Sequence, residues 1–399
     1  PFWLKQIRSS CYVSSVRCFF IHNAMRVIYQ ILVLLVLALM MLASVSIHFH
    51  AELFGTSGAM LRTDHDMNGS FEKRTGATKA PMDTYTNPLL TASEHELADP
   101  CILDDRERTG AFYLYATGDQ SSYDVYESRD LVSWVKGGKA LHFDSFCPLA
   151  PFYGPWYSSM LWAPDVFFDP DSKRYYIYYT RCVRIGVAAS DSPLGPFSDL
   201  GTLVPWAIDA HMFRDSDGKM YLYYAYQKLS IFTAWQTIRV QPMLNASHVS
   251  TDSTEVLRPS QPWEWFQVAP LVSVGVVEAP WMVKLHNVYH LLYSGAGAAT
   301  EHYGMGLATA TSPLGPFTPS VSNPITRSSI GAYGPGHGAV WIADDAKLWC
   351  IYHQKNSSGL AWNRFLAMDP LHINSDGSWT MNATRAVRQS MPRLSRVTQ

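Results

Sequence analysis

The sequence predicts an all-β fold, a five-bladed β-propeller, on three observations. A seven-residue segment is written twice, as DSPLGPF from Asp191 and as TSPLGPF from Thr311, 120 residues apart and identical at six positions. Five aromatic-rich runs, FYLYAT, YYIYYT, MYLYYA, VYHLLYSG and LWCIYHQ, each follow a polar residue by 10 to 13 positions. Those polar residues are Asp99, Asp165, Asp209, Glu278 and His337, with an average step near 60 residues. Finally, no long stretch after residue 92 carries the 3.6-residue period of an amphipathic helix.

The elements follow in chain order. Ile31 to Ala43 is an unbroken apolar run of 13 residues, with Arg26 before it and Ser44-Val45-Ser46 after it. A basic flank, a short apolar stretch and a small-residue site make a secretory signal peptide. Counted from Val27 to Phe49 with its polar interruptions, the same stretch also suits a signal anchor, since a spanning helix needs about 20 residues. Residues 1–46 therefore read as an N-terminal extension with signal peptide or signal anchor. Residues 47–86, polar and rich in Gly, Thr, Ser and Asp, read as a linker. The propeller is expected over residues 87–390, with a tail at 391–399. About 20 residues follow Trp379, so propeller loops alone are expected to shape any site.

Within the propeller, segments rich in Val, Ile, Tyr, Phe and Trp are broken by Gly, Pro, Asp and Asn, as strands and turns are. A unit of several short strands repeating every few tens of residues signals sheets that bury their faces only by stacking around an axis. The segment SRDLVSW at Ser128 to Trp134 sits one unit before the first copy of the duplicated turn. The duplicated turn is thus the connection from third to fourth strand, seen two units apart.

Composition limits the function classes. Net charge is −2 and charged residues are 16%, which gives no support for a polyanionic partner such as nucleic acid. Sequons at Asn68, Asn245, Asn356 and Asn382 suit a secreted glycoprotein. Beyond residue 46 the cysteines are Cys101, Cys147, Cys182 and Cys350, without CxxC spacing. A zinc site is not expected, and zero to two disulfides are open.

In a propeller the first strand of each blade lies nearest the axis, so the repeated polar positions should converge at one end of the tunnel. Four acids and a histidine gathered there are hard to attribute to stability, because like charges repel and burial is costly. A carboxylate cluster is what hydrolysis of a glycosidic bond requires.

The segments ADPCI (Ala98 to Ile102), WAPDVFFD (Trp162 to Asp169), AIDAHMFRDSDGKMYLYY (Ala207 to Tyr224), VEAPWM (Val277 to Met282) and GPGHGAVW (Gly334 to Trp341) resemble, in order and spacing, the motif series of glycoside hydrolase family 43. The resemblance implies a five-bladed propeller enzyme that inverts anomeric configuration, needing no cofactor for its chemistry. It implies Asp99 as general base, Glu278 as general acid and Asp209 as the residue that raises the pKa of the acid and orients it. Inversion calls for base and acid roughly 6.5–9.5 Å apart. His337 matches a position beside a central water or metal ion, so an axial Ca2+ near His337 is allowed. Arg364 resembles a substrate-contacting position. Asp165 carries no chemical role from the resemblance and reads as a structural hydrogen-bonding acid. Trp162, beside the acids, suits sugar stacking and blade packing equally. Ala210 stands where the family commonly has Pro.

The expected substrate is a plant polysaccharide or oligosaccharide carrying arabinofuranosyl or xylosyl groups. The motif wording is nearer the xylosidase and arabinofuranosidase branches than the endo-arabinanases. An endo-1,5-α-L-arabinanase and a non-catalytic sugar-binding propeller are the alternatives. A secreted monomer is expected, touching a membrane only through an uncleaved anchor.

Overall fold

A computed structural model describes residues 84–92, 95–150, 159–229, 234–269, 272–359 and 362–394. The apolar run at 31–43, most of the linker, the Asn68 sequon and the end of the tail lie outside the described residues. Among the described residues no helix is long and apolar enough to cross a membrane.

The chain is all-β and arranged as a propeller. Consecutive strands form antiparallel sheets. The first sheet comprises Ala98–Asp104, Phe112–Thr117, Ser122–Ser128 and Val135–His142. The second comprises Leu161–Asp169, Arg174–Arg181, Arg184–Ser190 and Ser198–Pro205. The third begins with Ala207–Arg214, Met220–Leu229 and Ala234–Asn245. It is extended by His248–Val249, Thr254–Leu257 and the hairpin Trp265–Ala269 with Val272–Gly275. The fourth comprises Val277–Leu285, Val288–Gly295, Gly304–Ala310 and Thr318–Pro319. The fifth comprises Tyr333–Ile342, Leu348–Lys355, Arg364–Ile373 and Trp379–Met381. Outside these, Thr84–Thr86 pairs antiparallel with Arg388–Ser390 and brings the two ends of the described chain together.

The first strand of each sheet packs on the first strand of the next, and that of the fifth packs on that of the first. Side-chain alternation explains the aromatic runs. In Arg174–Arg181, Tyr175, Ile177 and Tyr179 enter the core shared with the first sheet. Tyr176 and Tyr178 enter the core shared with the third. Both faces of such a strand are buried, so successive residues must all be large and apolar.

The duplicated turn has a docking reason. Both copies join the third and fourth strands of their sheets, the second and the fourth. Tyr115 of the first sheet donates its hydroxyl to the Pro193 carbonyl, and Tyr223 of the third sheet donates to the Pro313 carbonyl at 2.6 Å. Phe197 N–H bonds the Ala140 carbonyl at 2.8 Å, while Phe317 N–H bonds that of Val256 at 3.4 Å. Each copy therefore caps the sheet before it through the same tyrosine and the same phenylalanine.

Cys147 and Cys182 form a disulfide. It ties the segment leading into the second sheet to the turn after Arg181, and Trp162 packs beside it. Cys101 and Cys350 are buried free thiols.

Candidate active site

Each first strand carries a bulge in its pairing with the second strand. The first residue of each bulge has a left-handed backbone: Asp99 (φ 52°), Ala163 (45°), Asp209 (57°), Ala279 (51°) and His337 (52°). None is glycine, and such a conformation costs roughly 1–3 kcal/mol per residue. The five left-handed positions lie at equivalent points of the five inner strands.

The bulges correct the expected alignment of the polar positions. Asp99, Asp209 and His337 are equivalent to one another. Glu278 stands one residue before its bulge, opposite Ser294, and Asp165 stands beyond its bulge, opposite Tyr178. Asp165 Oδ2 accepts the Met212 N–H at 2.7 Å, and its Oδ1 lies 3.5 Å from Cys101 Sγ and 3.4 Å from His211 Nδ1. That is the structural hydrogen-bonding role.

Asp99 is held as a carboxylate. Burial opposes ionisation, but Arg364, His337 and His353 outweigh it and keep the group well below the usual carboxylate range. The contacts gather on Oδ1: Arg364 Nη1 at 3.0 Å, His353 Nδ1 at 3.1 Å and His337 Nδ1 at 3.4 Å. Arg364 spends Nε and Nη2 on Glu96, at 2.9 and 2.7 Å. Arg364 is thus placed against the carboxylate of Asp99. His353 is fully buried, and burial lowers it to about 4, so the ring is neutral.

Glu278 and Asp209 have the opposite environment. Burial pushes Glu278 up to about 7, the Asp99 charge adds to this, and Tyr303 works against it. Tyr303 donates its hydroxyl to Glu278 Oε1 at 2.8 Å and stacks on His353 at 5.6 Å. Burial also raises Asp209 to about 7, with Glu278 and Asp99 adding and His337 opposing. Asp209 Oδ2 accepts the Ala279 N–H at 3.1 Å and lies 4.0 Å from His337 Nδ1. The two carboxyl groups titrate as a pair.

His337 thus stands between Asp99 and Asp209, while Asp209 reaches the residue after Glu278. Trp162 is half-buried and donates its indole N–H to Gln120. No group of three or more His, Cys, Asp or Glu able to hold a metal is gathered among the described residues. His337 Nδ1 is turned to the Asp99 and Asp209 carboxylates.

Three contributors were not legible beforehand. Glu96 lies three residues before Asp99 and carries no motif. Tyr303 comes from a turn of the fourth sheet. His353 shows itself only as an imidazole inside an aromatic strand, in IYHQ.

These environments make stability depend on pH. The raised groups bind protons in the folded chain that the unfolded chain has released, so their contribution falls as pH rises from about 4 to about 7. Glu278→Gln removes one of them. Its melting temperature should rise relative to wild type between pH 5 and pH 8, by the equivalent of roughly 2 kcal/mol. A constant difference across that range would contradict the raised pKa.

Known proteins resemble this chain over the region that holds these sheets. Residues 85–379 match the family described as Glycosyl hydrolases family 43. A β-D-galactofuranosidase of Aspergillus niger, xynD, is 26% identical over 306 residues, covering 70% of this chain and 80% of that protein. A β-xylosidase of Xylanibacter ruminicola is 26% identical over 255 residues, covering 56% of this chain and 74% of that one. The crystal structure of a thermostable family-43 glycoside hydrolase superimposes with a TM-score of 0.66 at 29% identity, covering 78% of this chain and all of that one. Fold and relatives together define a glycoside hydrolase, an enzyme that needs no cofactor for its chemistry. The chain belongs to glycoside hydrolase family 43.

Proposed function

We propose that this protein is an inverting hydrolase of α-L-arabinofuranosyl and/or β-D-xylosyl linkages in plant cell-wall hemicellulose, acting at one mouth of a five-bladed propeller. The blade number is supported by five inner strands packed in a closed ring. The observation that carries the chemistry is the opposed setting of two buried acids, Asp99 against the Arg364 guanidinium at 3.0 Å and Glu278 against only the Tyr303 hydroxyl at 2.8 Å, which favours an ionised Asp99 and raises Glu278 to about 7. Glu278 gives its proton to the glycosidic oxygen as the bond to the anomeric carbon breaks. Asp99 takes a proton from water as that water attacks the same carbon from the opposite face. Asp209 titrates together with Glu278 and, through the Ala279 N–H, is held against the strand that carries the acid. Trp162 offers an aromatic face to the sugar. Arg364 acts on the base first, and on substrate only with the donors it has left.

The substrate class follows from the relatives, whose names cover xylosidases, arabinofuranosidases and arabinanases. An endo-acting reading is favoured by an arabinan endo-1,5-α-L-arabinosidase of Aspergillus niger, 26% identical over 311 residues. Secretion as a glycoprotein rests on the apolar run and on exposed Asn245, Asn356 and Asn382. Proton NMR of the first product tests the mechanism and should show the inverted anomer. A retained anomer would remove Asp99 as base. Arabinofuranosyl, xylosyl and galactofuranosyl aryl glycosides with debranched arabinan identify the substrate.

A further inference from the structure

The five bulges place five backbone N–H groups in the same situation, outside the ladder of their own sheet. Four of them meet a side chain on the second strand of the preceding sheet. Ala163 N–H bonds Thr117 Oγ1 at 2.7 Å, Asp209 N–H bonds Thr180 Oγ1 at 3.0 Å, and His337 N–H bonds Ser294 Oγ at 2.9 Å. Asp99 N–H meets His353 Nδ1 at 3.2 Å. These four side chains occupy one register position, opposite the residue before the bulge: Thr117 faces Ala98, Thr180 faces Trp162, Ser294 faces Glu278 and His353 faces Gly336.

The third sheet breaks the rule. Its register position, opposite Ile208, holds Ala225, which has no acceptor. The N–H it would have capped is that of Ala279, beside Glu278. That N–H goes instead to Asp209 Oδ2 at 3.1 Å.

We propose that Ala225 and Thr180 are positioning residues for Asp209. Ala225, by lacking an acceptor, leaves the Ala279 N–H to the Asp209 carboxylate. Thr180 fixes the backbone of Asp209 from the other side. A buried N–H needs a partner, because an unpaired one has lost its hydration without compensation. The missing hydroxyl therefore works as a tether that holds one catalytic acid to the strand bearing the other. The inference rests on the role proposed for Asp209.

Ala225→Ser tests it by offering the Ala279 N–H the acceptor that the other sheets provide. Ala225→Cys is the control of nearly the same shape with a weak acceptor. The serine variant should lose about tenfold in kcat on an unactivated glycoside with KM nearly unchanged. The loss should shrink on a dinitrophenyl glycoside, whose leaving group needs little protonation. The cysteine variant should stay within about twofold of wild type. A merely structural defect would lower both substrates alike. Asp209→Asn separates the two levels of the argument. If it is as active as wild type, the role of Asp209 falls and this inference with it. If it is impaired while Ala225→Ser is not, the tether alone is wrong. Should Ala225→Ser fail to fold, Thr180→Val decides. It should show the same leaving-group-dependent loss, restored by Thr180→Ser, and unchanged kcat in Thr180→Val would overturn the proposal.

Discussion

Glu278→Gln should fold like wild type and lose about a thousandfold in turnover on unactivated glycosides. The carboxyl is buried and accepts the Tyr303 hydroxyl at 2.8 Å. Glutamine keeps the shape and an acceptor oxygen for that bond, so little packing is lost. It has no proton to give at any useful pH. The size of the loss should follow the leaving group. An aglycone that departs as a stable anion needs no acid, so a dinitrophenyl glycoside should be cleaved at a rate nearer wild type. The basic limb of the pH profile, set in wild type by the pair raised to about 7, should also disappear. Near-normal turnover on unactivated substrate, or an intact basic limb, would contradict the assignment of the acid.

Much of this geometry could be read before any coordinates, for identifiable reasons. Strands and turns were legible because both faces of the second strands are buried and leave long aromatic runs, such as Tyr175 to Tyr179. The duplicated turn was legible because the same tyrosine–proline docking selects the same residues twice. The bulges were not. A strand read by its alternation has a fixed side for each residue, and a bulge shifts that register. Asp165 and Glu278 each precede their aromatic run by 10 residues, against 11 for Asp209 and His337 and 13 for Asp99. That spacing does not carry the offset, because hairpin length varies: Asp165 and Glu278 lie on opposite sides of their bulges yet share it, while the equivalent Asp99 and Asp209 differ. Tyr303, His353 and Glu96 were missed because each serves the site through a contact with a residue remote in sequence, Glu278, Asp99 and Arg364 in turn.

Arg364→Met should be the most destabilising single change at the site and should also move the acidic limb of activity. The guanidinium is buried between two carboxylates, bonding Asp99 Oδ1 at 3.0 Å and Glu96 at 2.7 and 2.9 Å. Removing one partner of a buried ion pair leaves uncompensated charge, at a cost of about 3–5 kcal/mol. The sign with pH is fixed by Asp99. Its folded pKa is depressed, so its stabilising contribution is complete above the ordinary carboxylate pKa and is lost only as pH falls below it. Without Arg364 that contribution shrinks, and the stability deficit of the variant should widen as pH rises through about 4 and then level off. His353 cannot replace the missing charge, since burial keeps it neutral. The base should then ionise nearer the pH at which the acid loses its proton, narrowing the bell of kcat/KM from its acidic side. Arg364→Lys keeps a positive charge but not the fork that reaches both carboxylates, and should recover only part of either effect. Melting curves and kcat/KM profiles from pH 4 to pH 8 measure both. An unchanged acidic limb in Arg364→Met would mean that Asp99 does not act as the base.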